Sequence, residues 1–549
     1  MTAIDWAVLV AWLVFLVSYG LWRGRGSDTA NQFLLAGKTM PWYAMGLSIM
    51  ATQATAITFI TTTAQAYTDG MRFVQFYFGL PLAMVILSAT AVPIFHRAKV
   101  FTAYEYLEKR FDRKTRSLVT AIFLIERGLG SGIALAAPAI ALSVILGWPF
   151  RVTTIVMGTA VILYTTTGGI KAVTWADVQQ MAVITASLIL AGIIAVSMLP
   201  SDVSFLDAVR IAGAAGKLNV VQTEFNWNDR YNLWSGLIGA SFLFLAYFGT
   251  DQSQVQRYLT GRSIGQSRLS LLFNAVAKVP MQFGILFIGT IVFVFFIFIQ
   301  PPLVFQPLAE KQLESKTEYP ALQSRFNRAF ERRRAAARGV IERHTPAALA
   351  EFREAQSQLD AVHAEAVKVG GEPDTNYIFL SFVTRYLPRG IVGLVLGVIF
   401  TAAMSAISGE INSLATVTVI DIYRRIAPEA TDRQTVFASR LATVFWGAYA
   451  IVFSALFGQG FGTLIEAVNQ VGSYFYGPML GVFFIAFFVK RVGGTAVFIG
   501  AIAGELAIIA VSRFTHIAYL WYNVVGAAGV IAAALLLSYA TQRESTADR

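Results

Sequence analysis

Gly46-Leu-Ser-Ile-Met-Ala-Thr-Gln-Ala-Thr-Ala-Ile-Thr-Phe-Ile-Thr-Thr-Thr-Ala-Gln65 carries no charge and has the length, about 20 residues, at which a helix crosses a bilayer core. It is too rich in Thr and Gln to face lipid throughout, so something polar faces its middle. The pattern returns at Thr401-Ala-Ala-Met-Ser-Ala-Ile-Ser-Gly-Glu-Ile-Asn-Ser-Leu-Ala-Thr416, where Ser405, Ser408 and Gly409 offer hydroxyls and approachable backbone. Two such helices could share one cation. A hard cation needs several oxygens, and within a bilayer these come most readily from carbonyls freed where a helix unwinds, together with Ser or Thr hydroxyls. The competing use of the same side chains is back-bonding to the carbonyl four residues earlier, or packing between helices through small residues.

The rest of the chain agrees with a membrane setting. Of 549 residues, 56% are hydrophobic and only 14% charged, against roughly 25% charged in soluble domains. Apolar runs between charged breaks give an all-α polytopic protein of about thirteen spans, near 4–22, 41–67, 71–95, 118–146, 152–167, 178–199, 233–250, 270–299, 391–420, 435–456, 464–489, 496–511 and 520–540. Asp5 stands where a signal peptide would be basic, and no small-residue cleavage site precedes Arg23, so the first run reads as an uncleaved span.

Basic residues gather after spans 1, 3, 5, 7, 9 and 11: Arg23, Arg25 and Lys38; Arg97 to Arg116; Lys171; Arg257, Arg262 and Arg268; Arg424, Arg425 and Arg433; Lys490 and Arg491. The positive-inside rule then puts the N-terminus outside and the C-terminus inside. It also accounts for the net charge of +11, which needs no nucleic acid.

Residues 301–374 break the pattern with alternating basic and acidic residues. Thr345-Pro346 reads as an N-cap and N1 proline, Leu349, Phe352, Gln356, Leu359 and His363 follow at helical spacing, and Gly370-Gly371 ends the run. We expect an extracytoplasmic helical hairpin, either a solvated insert or a lid or docking element.

Zero cysteines exclude disulfides, thiolate metal sites and thiol nucleophiles, and four histidines in all argue against His-based metal chemistry. Phosphate-binding loops, zinc-protease motifs and nucleophile elbows are absent, so the sequence reads as neither an enzyme nor an ATP-driven pump. Ionisable residues inside spans are costly and therefore informative: Glu126 and Arg127, Lys278, Glu410, Glu466 and Glu505. Lys278 either snorkels, pairs with a buried acid or meets an anionic ligand.

Phe33-Leu-Leu-Ala-Gly-Lys-Thr-Met-Pro-Trp42 with Ala44-Met-Gly-Leu-Ser48, Gly168-Gly-Ile-Lys-Ala-Val-Thr-Trp-Ala-Asp-Val-Gln-Gln180, Gln252-Ser-Gln-Val-Gln-Arg-Tyr258, and Ala402-Ala-Met-Ser405 through Asn412-Ser413 to Asp421-Ile-Tyr423 resemble, in order and spacing, the motifs of the sodium:solute symporter family. The resemblance covers about 32–300 and 374–491. It implies a LeuT-type 5+5 inverted repeat with alternating access. Residues 1–300 then hold spans 1–8, with repeat one at 41–199 and the start of repeat two at 233–299. Residues 301–374 are the insertion, 375–491 complete repeat two, and 492–549 hold spans 12 and 13 and a cytoplasmic tail.

Carried over position by position, the family's sodium site falls on the carbonyls of Ala51, Ala54 and Ala402 and the hydroxyl of Ser405. Ala406 stands where a second hydroxyl is usual, which weakens the site or brings in water. Asp177 matches an acidic position on the inner cation path, and one sodium per cycle is expected, with no organic cofactor.

Where sugar-carrying members place polar ligands, this chain has Gln53, Thr58, Tyr77, Leu80 and Phe244; Tyr247 matches an aromatic inner gate and Lys278 a lysine of the sugar carriers. A sugar would lose most of its hydrogen bonds there. Thr55-Ala-Ile-Thr58 with Tyr67 and Gly70, and Ala136-Ala-Pro-Ala-Ile-Ala-Leu142, look closest to the monocarboxylate, multivitamin and iodide branch. The expectation is sodium symport of a small organic anion, best a monocarboxylate, across a bacterial inner (plasma) membrane. Its partners are the solute and the lipid bilayer, with no nucleic acid and a homo-oligomer left open. The rival readings are a proton-coupled or sodium-independent permease for a nucleoside or amino acid, with Glu410 and Glu466 as relays, and a transporter-like sensor signalling through the hairpin.

Overall fold

The computed structural model describes residues 1–24, 29–371, 373–460 and 463–547. Arg25 of the first basic break lies outside them. The described chain is helical, its one sheet-like contact being the isolated bridge Met40 to Gly261. Nine of its helices are long and apolar enough to cross a membrane, and three shorter apolar helices, Ala3–Leu16, Phe150–Thr166 and Ser235–Gly249, accompany them.

The helix carrying the polar run is broken. α1 (Ala3–Gly24) is followed by α2 (Trp42–Gln53), which stops at Ala54, where φ is −99° and ψ is 60°, and α3 (Thr63–Asp69) resumes after a wide turn at Thr58–Thr62. Local hydroxyls take over the backbone groups at the break. Thr55 Oγ1 accepts from Ile57 N at 3.1 Å, and Thr58 Oγ1 donates to the Gln53 carbonyl at 2.7 Å.

Beyond it, α4 (Arg113–Leu146) is N-capped by Asp112 and ends at Gly147, whose φ of +65° is the left-handed turn glycine permits. α5 (Phe150–Ser197) is helical over both apolar runs, 152–167 and 178–199, and the two face different neighbours. Gly158 and Ile162 pass Ile451 and Gly447, whereas Asp177 and Gln180 pass Ser405 and Thr401. These neighbours lie on α12 (Ile391–Val417) and α13 (Asp432–Phe457), which are themselves antiparallel across the short link at 427–431. α6 (Phe205–Ala214), α7 (Ala240–Gly249), α8 (Gln252–Leu259) and α9 (Ile264–Phe298) lie between.

The charged insertion forms α10 (Tyr319–Arg343) and α11 (Pro346–Gly370). Thr345 Oγ1 accepts from Ala348 N at 3.3 Å as the N-cap of α11, and Gly371 at φ +87° closes it. Arg325, Arg332 and Arg343 of α10 pair across with Glu365, Glu354 and Glu351 of α11. Ala336, Ala337, Phe352 and Ala355 rest on Val203, Ala208, Ile211, Phe293 and Ile297 of the bundle.

α1 is strapped to α12. Asp5 Oδ1 accepts from Gly390 N at 2.6 Å, and Trp12 Nε1 donates to Thr401 Oγ1 at 3.1 Å. At the far end α15 (Gly494–Phe514) and α16 (Leu520–Ala547) pack on α14 (Leu464–Phe488) through Gly477, Gly481, Gly500 and Gly504, where side chains would collide.

Candidate functional site

The break between α2 and α3 opens onto an internal cavity of about 80 Å³. Gln53, Thr58, Tyr77, Phe244 and Tyr247, five of the six expected substrate residues, line it together with Thr52, Thr55 and Phe76. Aromatic rings form one wall: Phe76 and Tyr77 lie 5.1 and 5.9 Å from Phe244, and Tyr247 lies 5.9 Å from Tyr476. Polar groups line the rest, from Thr52, Gln53, Thr55 and Thr58 at the break and from Asn469. Gln254 Nε2 donates to Tyr247 Oη at 2.6 Å, and Gln53 Oε1 has no hydrogen-bond donor.

Lys278, the sixth, is not in the lining. It is fully buried, with its ammonium 5.4 Å above the ring of Tyr77 and no hydrogen-bond partner. It neither snorkels nor meets an acid among the described residues, and its charge stands behind the cavity wall.

The charged floor of the cavity was not legible beforehand. Arg127 lines it from α4, and three carboxylates surround that one guanidinium: Glu126 at 3.4 Å, Glu410 at 3.2 Å, and Asp251 in direct contact. Glu126 and Arg127 therefore do not simply compensate one another. Tyr476 Oη donates to Asp251 Oδ2 at 3.0 Å, and the guanidinium lies 5.5 Å from the Tyr247 ring. Asp251 doubles as the N-cap of α8, accepting from Ser253 N at 2.8 Å. The ionisable residues inside apolar runs were the signal; which of them meet depends on contacts spanning 124 to 349 residues.

Ala51, Ala54 and Ala402 pack in one buried cluster with Met181, Ile184 and Ile285. Among the described residues no backbone amide donates to the carbonyls of Ala51 and Ala54, the consequence of the break. Ser405 lies one turn beyond Ala402 on α12 and donates its hydroxyl proton to Asp177 Oδ1. That leaves the lone pairs of Ser405 for a cation, so carbonyls and one hydroxyl fit a hard ion. Ala406, also buried, adds no donor.

Asp177 is the junction of four elements. Ser48 Oγ of α2 donates to its Oδ2 at 2.5 Å, and Arg257 Nη1 of α8 meets the same oxygen at 2.8 Å. Glu466 lies apart from this layer, beside the cavity-lining Ile465, and is held by Arg230 at 2.7 Å and Tyr231 Oη at 2.9 Å.

The sequence is 27% identical over 518 residues to the human sodium-coupled monocarboxylate transporter 1, covering 93% of this chain and 73% of that one. It is 26% identical to the sodium/sialic acid symporter SiaT of Proteus mirabilis over 539 residues, 96% of this chain and 94% of the other. With the human sodium/iodide cotransporter the identity is 25% over 505 residues, 91% and 68% of the two chains. The solved substrate-bound, outward-open structure of a Na+-coupled sialic acid symporter superposes with a TM-score of 0.75 at 23% identity, covering 98% of this chain and 97% of that one, so the two share a fold. The profile of the Sodium:solute symporter family matches residues 33–318 and 359–504, and with that coverage the chain belongs to the sodium:solute symporter family.

Proposed function

We propose that this protein carries a small organic anion, a monocarboxylate first among candidates, into the cell together with sodium, by alternating access around the cavity at the break between α2 and α3. The observation that carries the reading is the cavity itself. One wall is aromatic, Thr52, Gln53, Thr55 and Thr58 offer polar groups at the break, and Arg127, with Glu410 beside it, is the cation an entering anion would meet. A volume of about 80 Å³ is several times the roughly 10–15 Å³ that admits one water, and suits a small solute.

Sodium would be held by the carbonyls of Ala51, Ala54 and Ala402 and the hydroxyl of Ser405, with Asp177 orienting that hydroxyl. Gln53, Thr58, Tyr77, Phe244 and Tyr247 would contact the solute, and Lys278 would lend its charge from behind Tyr77. The relatives named for monocarboxylate, sialic acid and iodide support an anionic solute. The same proposal takes thirteen spans in a LeuT-type inverted repeat, with the N-terminus and the 301–374 hairpin outside and the C-terminus inside.

The test is uptake into proteoliposomes of labelled short-chain carboxylates, amino acids, nucleosides and sugars, under an inward sodium gradient and then under a proton gradient in potassium. A carboxylate should accumulate only with sodium, and Ser405→Ala should cut that uptake at least about tenfold, a loss within the range of a single coupling interaction. Intact sodium-driven uptake in the variant would remove Ser405 from the site. Accumulation driven by protons would favour the second reading, a proton-coupled permease, which rests on Glu410 facing the cavity with one oxygen unpaired and on Ala406.

A further inference from the structure

Between the cation-site residues and the cavity lies one buried polar layer in which the charges do not balance. Arg127 and Arg257 face Glu126, Asp177, Asp251 and Glu410, two guanidiniums against four carboxylates. The distribution within the layer is uneven. Asp177 has a guanidinium to itself, whereas Glu126, Asp251 and Glu410 share the other.

Arg257 is only 1% exposed, yet its Nε and Nη2 have no hydrogen-bond partner among the described residues. Its Nη1 is fully used, by Asp177 and by the hydroxyl of Ser48. Nη2 lies against Gly409, where an added Cβ would come within 2.2 Å of it. The next residue is Glu410, which gives Oε1 to Arg127 at 3.2 Å and leaves Oε2 without a partner. A guanidinium with two idle nitrogens thus lies beside the residue preceding a carboxylate with one idle oxygen. A guanidinium is a weakly hydrated planar fork, suited to changing partners within a buried layer.

Sodium held by Ser405 would place a second positive charge on Asp177, because Ser405 donates to Asp177 Oδ1 while Arg257 occupies Oδ2. Two cations on one buried carboxylate repel at close range in a poorly screened interior. We propose that Arg257 is a tethered cation that competes with sodium for Asp177 and, once displaced, pairs with the free oxygen of Glu410, loosening the hold of Glu410 on Arg127 so that an anionic solute can bind there. This rests on the sodium-symport reading above and deepens it by naming the link between the ion and solute sites. Arg257 is then a positioning residue that touches neither cargo.

The linkage is tested without a solute, by equilibrium binding of radiosodium to the purified full-length protein. Arg257→Gln removes the competitor, so the sodium dissociation constant should fall about tenfold; Glu410→Gln removes the landing place and should raise it by about the same factor, both within the usual span of coupling energies. The decisive measurement is the double variant. A through-space effect of the Glu410 charge would weaken binding equally in either background. The relay requires that Glu410→Gln change affinity by less than about twofold once Arg257 is Gln, the non-additivity expected of coupled residues.

Ser48→Ala changes no charge but strips a hydrogen bond from the Arg257–Asp177 pair, so it too should tighten sodium binding, and it serves if Arg257→Gln does not fold. Unchanged or weaker binding in Arg257→Gln or Ser48→Ala, or equal Glu410→Gln effects in both backgrounds, would overturn the relay. No sodium binding by the unmodified protein would instead overturn the symport reading on which it stands.

Discussion

Gly409 and Lys278 are the residues at which packing and charge conflict most openly. A methyl group at position 409 would meet Arg257 Nη2 at 2.2 Å. Gly409→Ala should therefore lower stability by about 1–3 kcal/mol, the usual cost of overpacking. Combining it with Arg257→Gln, which withdraws the guanidinium, should restore most of the loss in a thermal melt; no recovery would mean that α12 itself cannot accept the methyl. Lys278 buries an ammonium without a hydrogen bond among the described residues, a burden above the roughly 1–3 kcal/mol of an unsatisfied neutral group. Lys278→Met keeps the length and removes the charge, so it should raise the melting temperature while weakening uptake of an anion. A fall in melting temperature would mean that its contact with the Tyr77 ring outweighs the desolvation. At this scale the sequence was informative about kind and poor about partners. Gln53, Thr58, Tyr77, Phe244 and Tyr247 do surround one cavity, because each interrupts or lines an apolar run at a recognisable place. The ring of Glu126, Asp251 and Glu410 around Arg127 was not readable, since Asp251 and Glu410 reach it from other parts of the chain.

Among the elements, the polar run at 46–65 announced a helix with something to solvate, and the structure supplies the reason it unwinds: hydroxyls of Thr55 and Thr58 capture backbone groups the helix would have used. The two apolar runs read on either side of Lys171 fall in one element, α5, and the helical geometry continues between them. The α10–α11 hairpin is fastened by a titratable contact. His363 Nδ1 lies 3.0 Å from the Leu303 carbonyl and its Nε2 lies 3.4 Å from Asp374 Oδ1, while Asp374 Oδ2 accepts from Phe305 N at 2.7 Å. Burial alone would lower the His363 pKa, but the hydrogen bond and charge of Asp374, with the Leu303 carbonyl, outweigh it and hold the imidazole above its ordinary 6.5. A folded value above the unfolded one means that protonation stabilises the folded contact. The contribution is complete below the ordinary value and fades as pH rises through the raised one. Amide exchange in α11, corrected for intrinsic rate, should accordingly quicken on the alkaline side, and His363→Phe should flatten the dependence; an unaltered profile in the variant would place the pH sensitivity elsewhere.

For the whole molecule, composition alone established a helical membrane protein, since 14% charge over 549 residues cannot clothe a soluble chain of this size. The proposed direction of insertion rests on where Lys and Arg gather, which is a statement about loops and not about packing. Because the chain contains no cysteine, one introduced thiol reports without background. Ser324→Cys in the hairpin should react with a membrane-impermeant maleimide on intact cells, and Glu429→Cys, between α12 and α13, only after permeabilisation. The reverse pattern would invert the proposed orientation. What no single-chain reading supplied was the order in which distant spans pack, for example α1 against α5 and, through Trp12 and Asp5, against α12.

The two helices of the hairpin have 25 residues each, so each is about 37 Å long at 1.5 Å per residue. Their crossed Arg–Glu pairs hold them to one another, and the buried Arg333, which donates to the Phe296 carbonyl, fixes them to the bundle. A protein otherwise hidden in a detergent belt thus brings its own fiducial mark, an asymmetric feature by which single-particle images could be oriented without an antibody fragment.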